Sequence, residues 1–329
     1  MELNEFQGKK ILILGLGKEG QDTLAFLIKY APAGILAVSD RTLFDNLPDA
    51  AKKIINKYKI PGYFGKNYLK NLQNYDIIVK SPGIPIHLPE IEAAYKAGKI
   101  TSQTKIFFNH CQGTIFGITG TKGKSTTSSL IYAVLKKSAK KVHLLGNIGQ
   151  PVLNYLKNDN SEKFYVYELS AHQLYQLDKS PHIAVLTNLY QEHLDYYSDY
   201  NEYIQAKANI TIHQSKNDFF IYNSNIMNCQ NIAKITQAKK IAYNEFDWNF
   251  PKKLHLIGEF NLENAKIAAI IGKILKIDNK IINNAIANFK PLAHRLEFAG
   301  EYRGIKFYND SLSTIQESAV AAIEGLGDN

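Results

Sequence analysis

Ten residues of this chain, Gly117-Ile118-Thr119-Gly120-Thr121-Lys122-Gly123-Lys124-Ser125-Thr126, combine three chemistries at one turn. Glycines let backbone amides at a helix N-terminus close on phosphate oxygens, a lysine reaches β and γ phosphates, and a Ser or Thr hydroxyl binds Mg²⁺. Gly120, Thr121, Gly123, Lys124, Ser125 and Thr126 therefore read as a nucleotide cradle. The spacing departs from the common phosphate loop, because Ile118 stands five positions before Gly123 where glycine is usual. Close backbone approach at Gly120 and Gly123 keeps the chemistry available. A second glycine turn, Gly15-Leu16-Gly17-Lys18-Glu19-Gly20, follows an apolar run, and Asp40 comes at the end of the next one. That spacing matches a dinucleotide fingerprint, yet the same turn can hold any diphosphate, including that of a nucleotide sugar. Glu168 and His193 each follow an apolar run, at the strand ends where open α/β sheets place ligands. A carboxylate and an imidazole there can complete a Mg²⁺ site, or the acid can simply cap a helix.

These residues need elements that hold them. Lys10–Leu14 reads as a buried strand, 23–29 as a helix, 35–39 as a strand, 50–58 as a helix and 75–80 as a strand, which is a βαβ series and implies a parallel sheet. A second series starts near Thr114: a strand, the Gly/Thr/Lys turn, a helix over 125–137, strands at 164–168 and 182–187, and helices at 200–213 and 261–275. Beyond Pro291 come a hairpin (298–302 with 305–308) and a helix over 314–323. The expected fold is α/β: a Rossmann-like domain over 1–103, a central P-loop domain over 104–296, and the first part of a third α/β domain over 297–329. With only about 30 residues, that last segment buries too little to stand alone.

Composition narrows the classes. With 45% apolar and 21% charged residues, the chain is neither disordered nor fibrous. The net charge of +9 comes from scattered lysine pairs, not a basic run, so it argues for a solvated surface and against nucleic acid. No apolar run approaches the ~18 residues of a membrane span, and Glu2 and Glu5 break any export signal, so a cytoplasmic location is expected. Cys111 and Cys229 are too few for a disulfide framework.

In order along the chain, these motifs resemble the Mur ligase family, and nearly the whole chain takes part. The carriers are Gly15 to Gly20, Ser81-Pro82-Gly83-Ile84, Gly117 to Thr126, Gly146 to Gly149, Glu168-Leu169-Ser170 with Gln173-Leu174, Glu192 to Asp195, Ala206-Lys207, Gly258 to Ala265, His294 to Glu297 and Asn309-Asp310-Ser311. Ser-Pro-Gly-Ile and Glu-Leu-Ser-x-x-Gln-Leu look like the D-glutamate-adding branch. The resemblance implies an ATP-dependent ligase of peptidoglycan synthesis with UDP-N-acetylmuramoyl-L-alanine and D-glutamate as substrates, acting as a monomer through an acyl phosphate. It implies that Lys124, Glu168, His193 and Lys207 are catalytic, with Ser125 and Glu168 on one Mg²⁺ and His193 on a second, bridged by a carbamylated Lys207. Gly15, Leu16, Gly17, Asp40, Ser81, Gly83 and Asn147 would hold the sugar nucleotide, and Asn261, Asn264, Arg295 and Asp310 would hold ATP. Leu312 and Ile315 depart from residues seen in some members and inherit no role. Because the family's third domain closes over ATP and supplies most of the D-glutamate site, weak nucleotide binding or inactivity is expected of a chain that stops at Asn329. A nucleotide-sugar binding protein without ligase activity, or another Mur-type ligase, is the alternative.

Overall fold

The computed structural model describes residues 3–146, 152–175, 177–192, 195–313 and 316–327. Ile11, Leu12, Ile13 and Leu14 are fully buried, as befits a parallel strand covered by helices on both faces. They form β1 (Lys10–Leu14), followed by α1 (Lys18–Tyr30), β2 (Ile35–Asp40), α2 (Asp49–Tyr58), β3 (Gly62–Phe64), β4 (Ile77–Lys80), α3 (Pro89–Lys96) and β5 (Ile100–Thr101). The sheet order is β3-β2-β1-β4-β5, every pairing parallel. Chain direction across the sheet reverses between β1 and β4, so the loops after these strands diverge and leave a crevice.

After α4 (Gln103–His110) the second layer set begins: β6 (Thr114–Thr119), α5 (Lys124–Lys137), β7 (Lys141–Gly146), β8 (Lys163–Glu168), α6 (Ala171–Leu174), β9 (Ile183–Leu186), α7 (Tyr200–Ala208), β10 (Phe219–Tyr222), α8 (Met227–Ile235) and β11 (Lys239–Ala242). These strands order as β11-β10-β9-β6-β8-β7, again parallel. Helices α9 (Glu259–Ile274) and α10 (Asn279–Ala287) cover α5; Leu130, Ile131 and Val134 on α5 and Ile267, Ile270 and Ile271 on α9 share one core. A separate antiparallel hairpin, β12 (Glu297–Tyr302) and β13 (Ile305–Asn309), precedes α11 (Gln316–Leu326). No helix among the described residues is long and apolar enough to cross a membrane.

Both sheets share an aromatic junction. Phe107 on α4 sits edge-on to Tyr165 and Tyr167 of β8, at 5.3 and 5.7 Å, and that core runs on into Leu24 and Leu27 of α1. Polar bonds cross the same seam: the Asp22 carboxylate accepts from Gln103 Nε2 (2.9 Å) and Asn154 Nδ2 (2.8 Å), and burial pushes it up to about 6. Some helix limits differ from expectation. α1 begins at Lys18, since its first turn is polar and only its later residues show an apolar stripe. α7 ends at Ala208 instead of His213, where turns closed by Thr211 N and Ile212 N on the Ala208 carbonyl replace it.

Candidate active site

The second sheet delivers its functional groups at the carboxyl ends of its strands. β6 leads into the glycine loop, and Gly123, with a φ of 81°, sits in the left-handed region as the cap of α5. A side chain there is strained, and its Cβ would stand 2.7 Å from Asn264 Oδ1. From the end of β9, Thr187 Oγ1 donates to the Lys122 carbonyl (2.6 Å) and Asn188 Oδ1 accepts from Lys122 N (2.8 Å), bracing the loop.

Lys124 opens α5 with its ammonium folded back on the loop, donating to the Gly120 and Thr121 carbonyls at 3.0 and 2.9 Å. Burial lowers its pKa, against the pull of Glu168 and Glu192. Glu168, the last residue of β8, is 3% exposed, and its Oε2 has no hydrogen-bond partner. Burial raises its pKa, opposed by Lys124, a hydrogen bond with Ser125, Arg295 and Lys207. Lys207, on the last turn of α7, is 2% exposed. Its Nζ donates to the Gly120 carbonyl (2.8 Å) and lies 4.8 Å over the Tyr203 ring. Desolvation, then repulsion by Lys124, drives its pKa well below the ordinary lysine value. A buried lysine, a half-buried one and a buried under-bonded carboxylate thus surround one glycine loop, a costly arrangement unless charge is brought in to balance it.

Beside them lies a cleft of about 150 Å³. Gly123, Thr126, Asn261, Asn264, Arg295 and Asp310 line it, as do Asn188, Tyr190, Phe260, Glu263 and Ser313, none of which the sequence reading named as site residues. Arg295 reaches the Ser125 hydroxyl at 3.3 Å. Asn261 and Asn264 face this cleft, but their amides also work locally: Asn261 Nδ2 donates to the Ile257 carbonyl and Asn264 Oδ1 accepts from Thr127 Oγ1. Asp310 Oδ1 accepts from Leu296 N, so it also pins the turn before β12. Thr121 has its side chain turned inward. Its N–H donates to the Asn188 carbonyl and its hydroxyl contacts Tyr190 and Tyr203, making it a buried brace and not a cleft wall. Asn147 and His193 lie outside the described residues.

In the first sheet, the crevice between β1 and β4 forms a cleft of about 470 Å³ lined by Gly15, Gly17, Lys18, Glu19, Asp40, Arg41, Tyr68 and Ser81 to Pro85. A Cβ on Gly20 would overlap the Gly15 carbonyl, so glycine is required for the turn to meet α1. The Leu16 side chain is buried and its N–H is taken by Asp40 Oδ2 (2.6 Å). With Thr42 N on the other oxygen (2.8 Å), Asp40 holds the backbone of the turn as well as lining the cleft. Ser81 donates to the Gly15 carbonyl (3.0 Å) and ties the two walls together. A larger groove of about 590 Å³ runs between α5 and α10, but among the described residues no strand end or buried acid opens into it, so chemistry and not volume singles out the candidate site.

A family model described as Mur ligase middle domain matches residues 118–272, and a second, Mur ligase MurD-like, N-terminal domain, matches residues 9–101. Together with the two glycine turns at the strand ends of two parallel sheets, this shows that the chain belongs to the Mur ligase family. Within the family its relatives are MurD-like. It is 31% identical to UDP-N-acetylmuramoylalanine--D-glutamate ligase of Listeria monocytogenes, over 99% of this chain and 76% of that protein. The corresponding ligase of Acetivibrio thermocellus is 30% identical over 99% of this chain and 75% of its own length. Among solved structures, the fold is similar to a UDP-N-acetylmuramate:L-alanyl-gamma-D-glutamyl-meso-diaminopimelate ligase from Neisseria meningitides (TM-score 0.58, 17% identity, 86% of this chain and 99% of that one). It is also similar to MurF ligase from Thermotoga maritima, solved with ADP (TM-score 0.56, 16% identity, 98% and 73%).

Proposed function

We propose that this ligase uses ATP to join D-glutamate to UDP-N-acetylmuramoyl-L-alanine. The names of its relatives support that pair of substrates. The observation that carries the reading is the convergence of a half-buried Lys124 with the buried Glu168 and Lys207 around one glycine loop, at the strand ends of a parallel sheet. In this reading the Gly15 turn, Asp40, Ser81, Gly83 and Asn147 hold the sugar nucleotide.

A carboxylate oxygen of the substrate's alanine attacks the γ-phosphorus, the bond to the β–γ bridging oxygen breaks, and ADP leaves. The amine of D-glutamate then attacks the acyl carbon, its surplus proton is lost, and the carbon–oxygen bond to phosphate breaks. Such transfers need positioning and charge neutralisation more than covalent help from the protein. Lys124 supplies a cation by swinging off the Gly120 and Thr121 carbonyls, and Arg295 supplies another beside Ser125. Asn261, Asn264 and Asp310 line the wall for the rest of ATP.

The unpartnered Glu168 oxygen beside Ser125 fits a divalent cation, since Mg²⁺ takes one or two carboxylates plus substrate phosphates. Ser125 and Glu168 would hold one Mg²⁺, and His193 with a carbamylated Lys207 a second. When bound, Mg²⁺ neutralises phosphate charge. Lys207 suits carbamylation because its burial beside Lys124 disfavours the ammonium, and the free amine is the form that combines with CO₂.

Phosphate release from ATP with UDP-N-acetylmuramoyl-L-alanine and a panel of amino acids tests the proposal. Release that depends on D-glutamate supports it. Dependence on a different amino acid would assign another Mur-type ligase, and nucleotide-sugar binding without turnover on any amino acid would favour a binding protein.

A further inference from the structure

Lys80, at the end of β4, is 8% exposed, an expensive place for an ammonium unless its protons are used. All are used on one loop and one neighbour. Its Nζ donates to the Ile84 carbonyl (2.7 Å) and the Ser81 carbonyl (3.2 Å), and reaches the Tyr196 hydroxyl at 3.4 Å. Tyr196 comes from the second sheet's domain, just ahead of α7. Its hydroxyl lies 3.0 Å from both the Pro82 and Ile84 carbonyls, and its ring is held edge-on by His172 at 4.1 Å. The loop they grip, Ser81 to Ile84, is one wall of the first cleft, and through Ser81 it also fixes the Gly15 turn opposite. Beyond Tyr196, α7 carries Lys207 to the Gly120 carbonyl of the phosphate loop.

We infer that Lys80 and Tyr196 form a clasp between the two domains, in which Lys80 is a positioning residue that sets the nucleotide-sugar wall against the phosphate loop. The inference rests on the nucleotide-sugar reading of the first cleft. Lys80 touches neither the glycine loop nor the ATP cleft, so its removal loosens one cleft and spares the other. A merely structural lysine would affect both clefts alike. Burial lowers the Lys80 pKa to about 8, against the charge of Glu19, and Glu19 accepts from Gln173 of α6 at 2.7 Å, a second link across the same seam.

Calorimetric titration of UDP-N-acetylmuramoyl-L-alanine and of Mg·ADP into wild type, Lys80→Met, Lys80→Arg and Tyr196→Phe tests the clasp. Lys80→Met is expected to weaken the sugar nucleotide about tenfold and Tyr196→Phe about threefold, each the loss of one to three modest hydrogen bonds. Lys80→Arg should recover part of the affinity, and the Kd for ADP should stay within about twofold throughout. Where turnover is measurable, KM for the sugar nucleotide should rise and kcat should fall with it, because the wall is no longer set against the phosphate loop. Wild-type sugar affinity in both Lys80→Met and Tyr196→Phe would overturn the clasp alone, and so would equal losses for both ligands. Should Lys80→Met fail to fold, Lys80→Arg and Tyr196→Phe decide. A wild type that binds ADP but no sugar nucleotide would overturn the reading of the cleft and the clasp with it.

Discussion

The molecule contains the same backbone device twice, and the two copies differ in what sits on their carbonyls: a serine hydroxyl on the first, two lysines on the second. Both glycine turns follow the central strand of a parallel sheet and open a helix, α1 in one case and α5 in the other. At the first turn the nearby carboxylate, Asp40, is spent on backbone amides of its own loop, and Ser81 is spent on the Gly15 carbonyl. Those backbone contacts lock the turn and leave a roomy cleft, although Glu19 within the turn also keeps one buried oxygen unpartnered. The second turn has two lysines parked on its carbonyls and an acid with a free oxygen beside them. A locked turn suits holding a ligand that stays intact; a turn loaded with displaceable charges suits one whose phosphate charge moves during reaction.

Substitutions can break that contrast. The largest effect is expected from Lys124→Ala, which should slow phosphate release about a hundredfold or more while leaving sugar-nucleotide binding unchanged. A loss of both would show that the two turns are not separable. Lys207→Ala should also inactivate, with short carboxylates such as acetate restoring part of the rate; a fully active variant would remove the carbamate. On the holding side, Gly20→Ala forces a Cβ into the Gly15 carbonyl, so unfolding by denaturant should show a loss of about 1–3 kcal/mol with weaker sugar-nucleotide binding. Asp40→Ala leaves the Leu16 and Thr42 amides without their partner and should cost about 1–3 kcal/mol of stability, with phosphate-loop binding of ADP preserved.

The smallest effect concerns the exposed edge of the seam. There His87 bridges to the Glu202 carboxylate at 2.9 Å, and Glu202, first, and then Glu92 raise its pKa, against partial burial. Because the folded value lies above the unfolded value of about 6.5, the bridge stabilises fully below that pH and is lost as pH rises through the folded value. His87→Gln should therefore lower Tm at pH 5.5 and match wild type at pH 8.5; equal Tm at pH 5.5 would remove the bridge from the seam.

Much of this contrast was legible in the residues themselves. Continuous apolar runs such as Ile11 to Leu14 and Ile183 to Leu186 announce buried parallel strands, and glycine spacing announces the turns after β1 and β6. Other elements lacked such signals. β7 is an edge strand whose Lys141 and His143 interrupt its apolar pattern, and β10 and β11 have four residues each, with two lysines opening β11. Lys80 and Tyr196 were invisible because nothing local distinguishes a buried lysine from a solvated one; only the meeting of the two domains consumes its protons. The bracing contact of Thr121 was invisible for a related reason, since its hydroxyl turns inward to Tyr203, a partner 82 positions away. Asn188 could have been found as a polar residue closely following the β9 strand end, the same position in the topology that singled out Glu168.

The central claim, that the second turn activates a carboxylate by moving phosphate onto it, has a direct isotopic test. UDP-N-acetylmuramoyl-L-alanine labelled with ¹⁸O in its carboxylate is turned over with ATP and D-glutamate, and the released phosphate is examined by mass spectrometry. The account predicts one ¹⁸O in each phosphate, because the substrate oxygen that attacks phosphorus leaves with it when the amine arrives. Unlabelled phosphate accompanying product would contradict it.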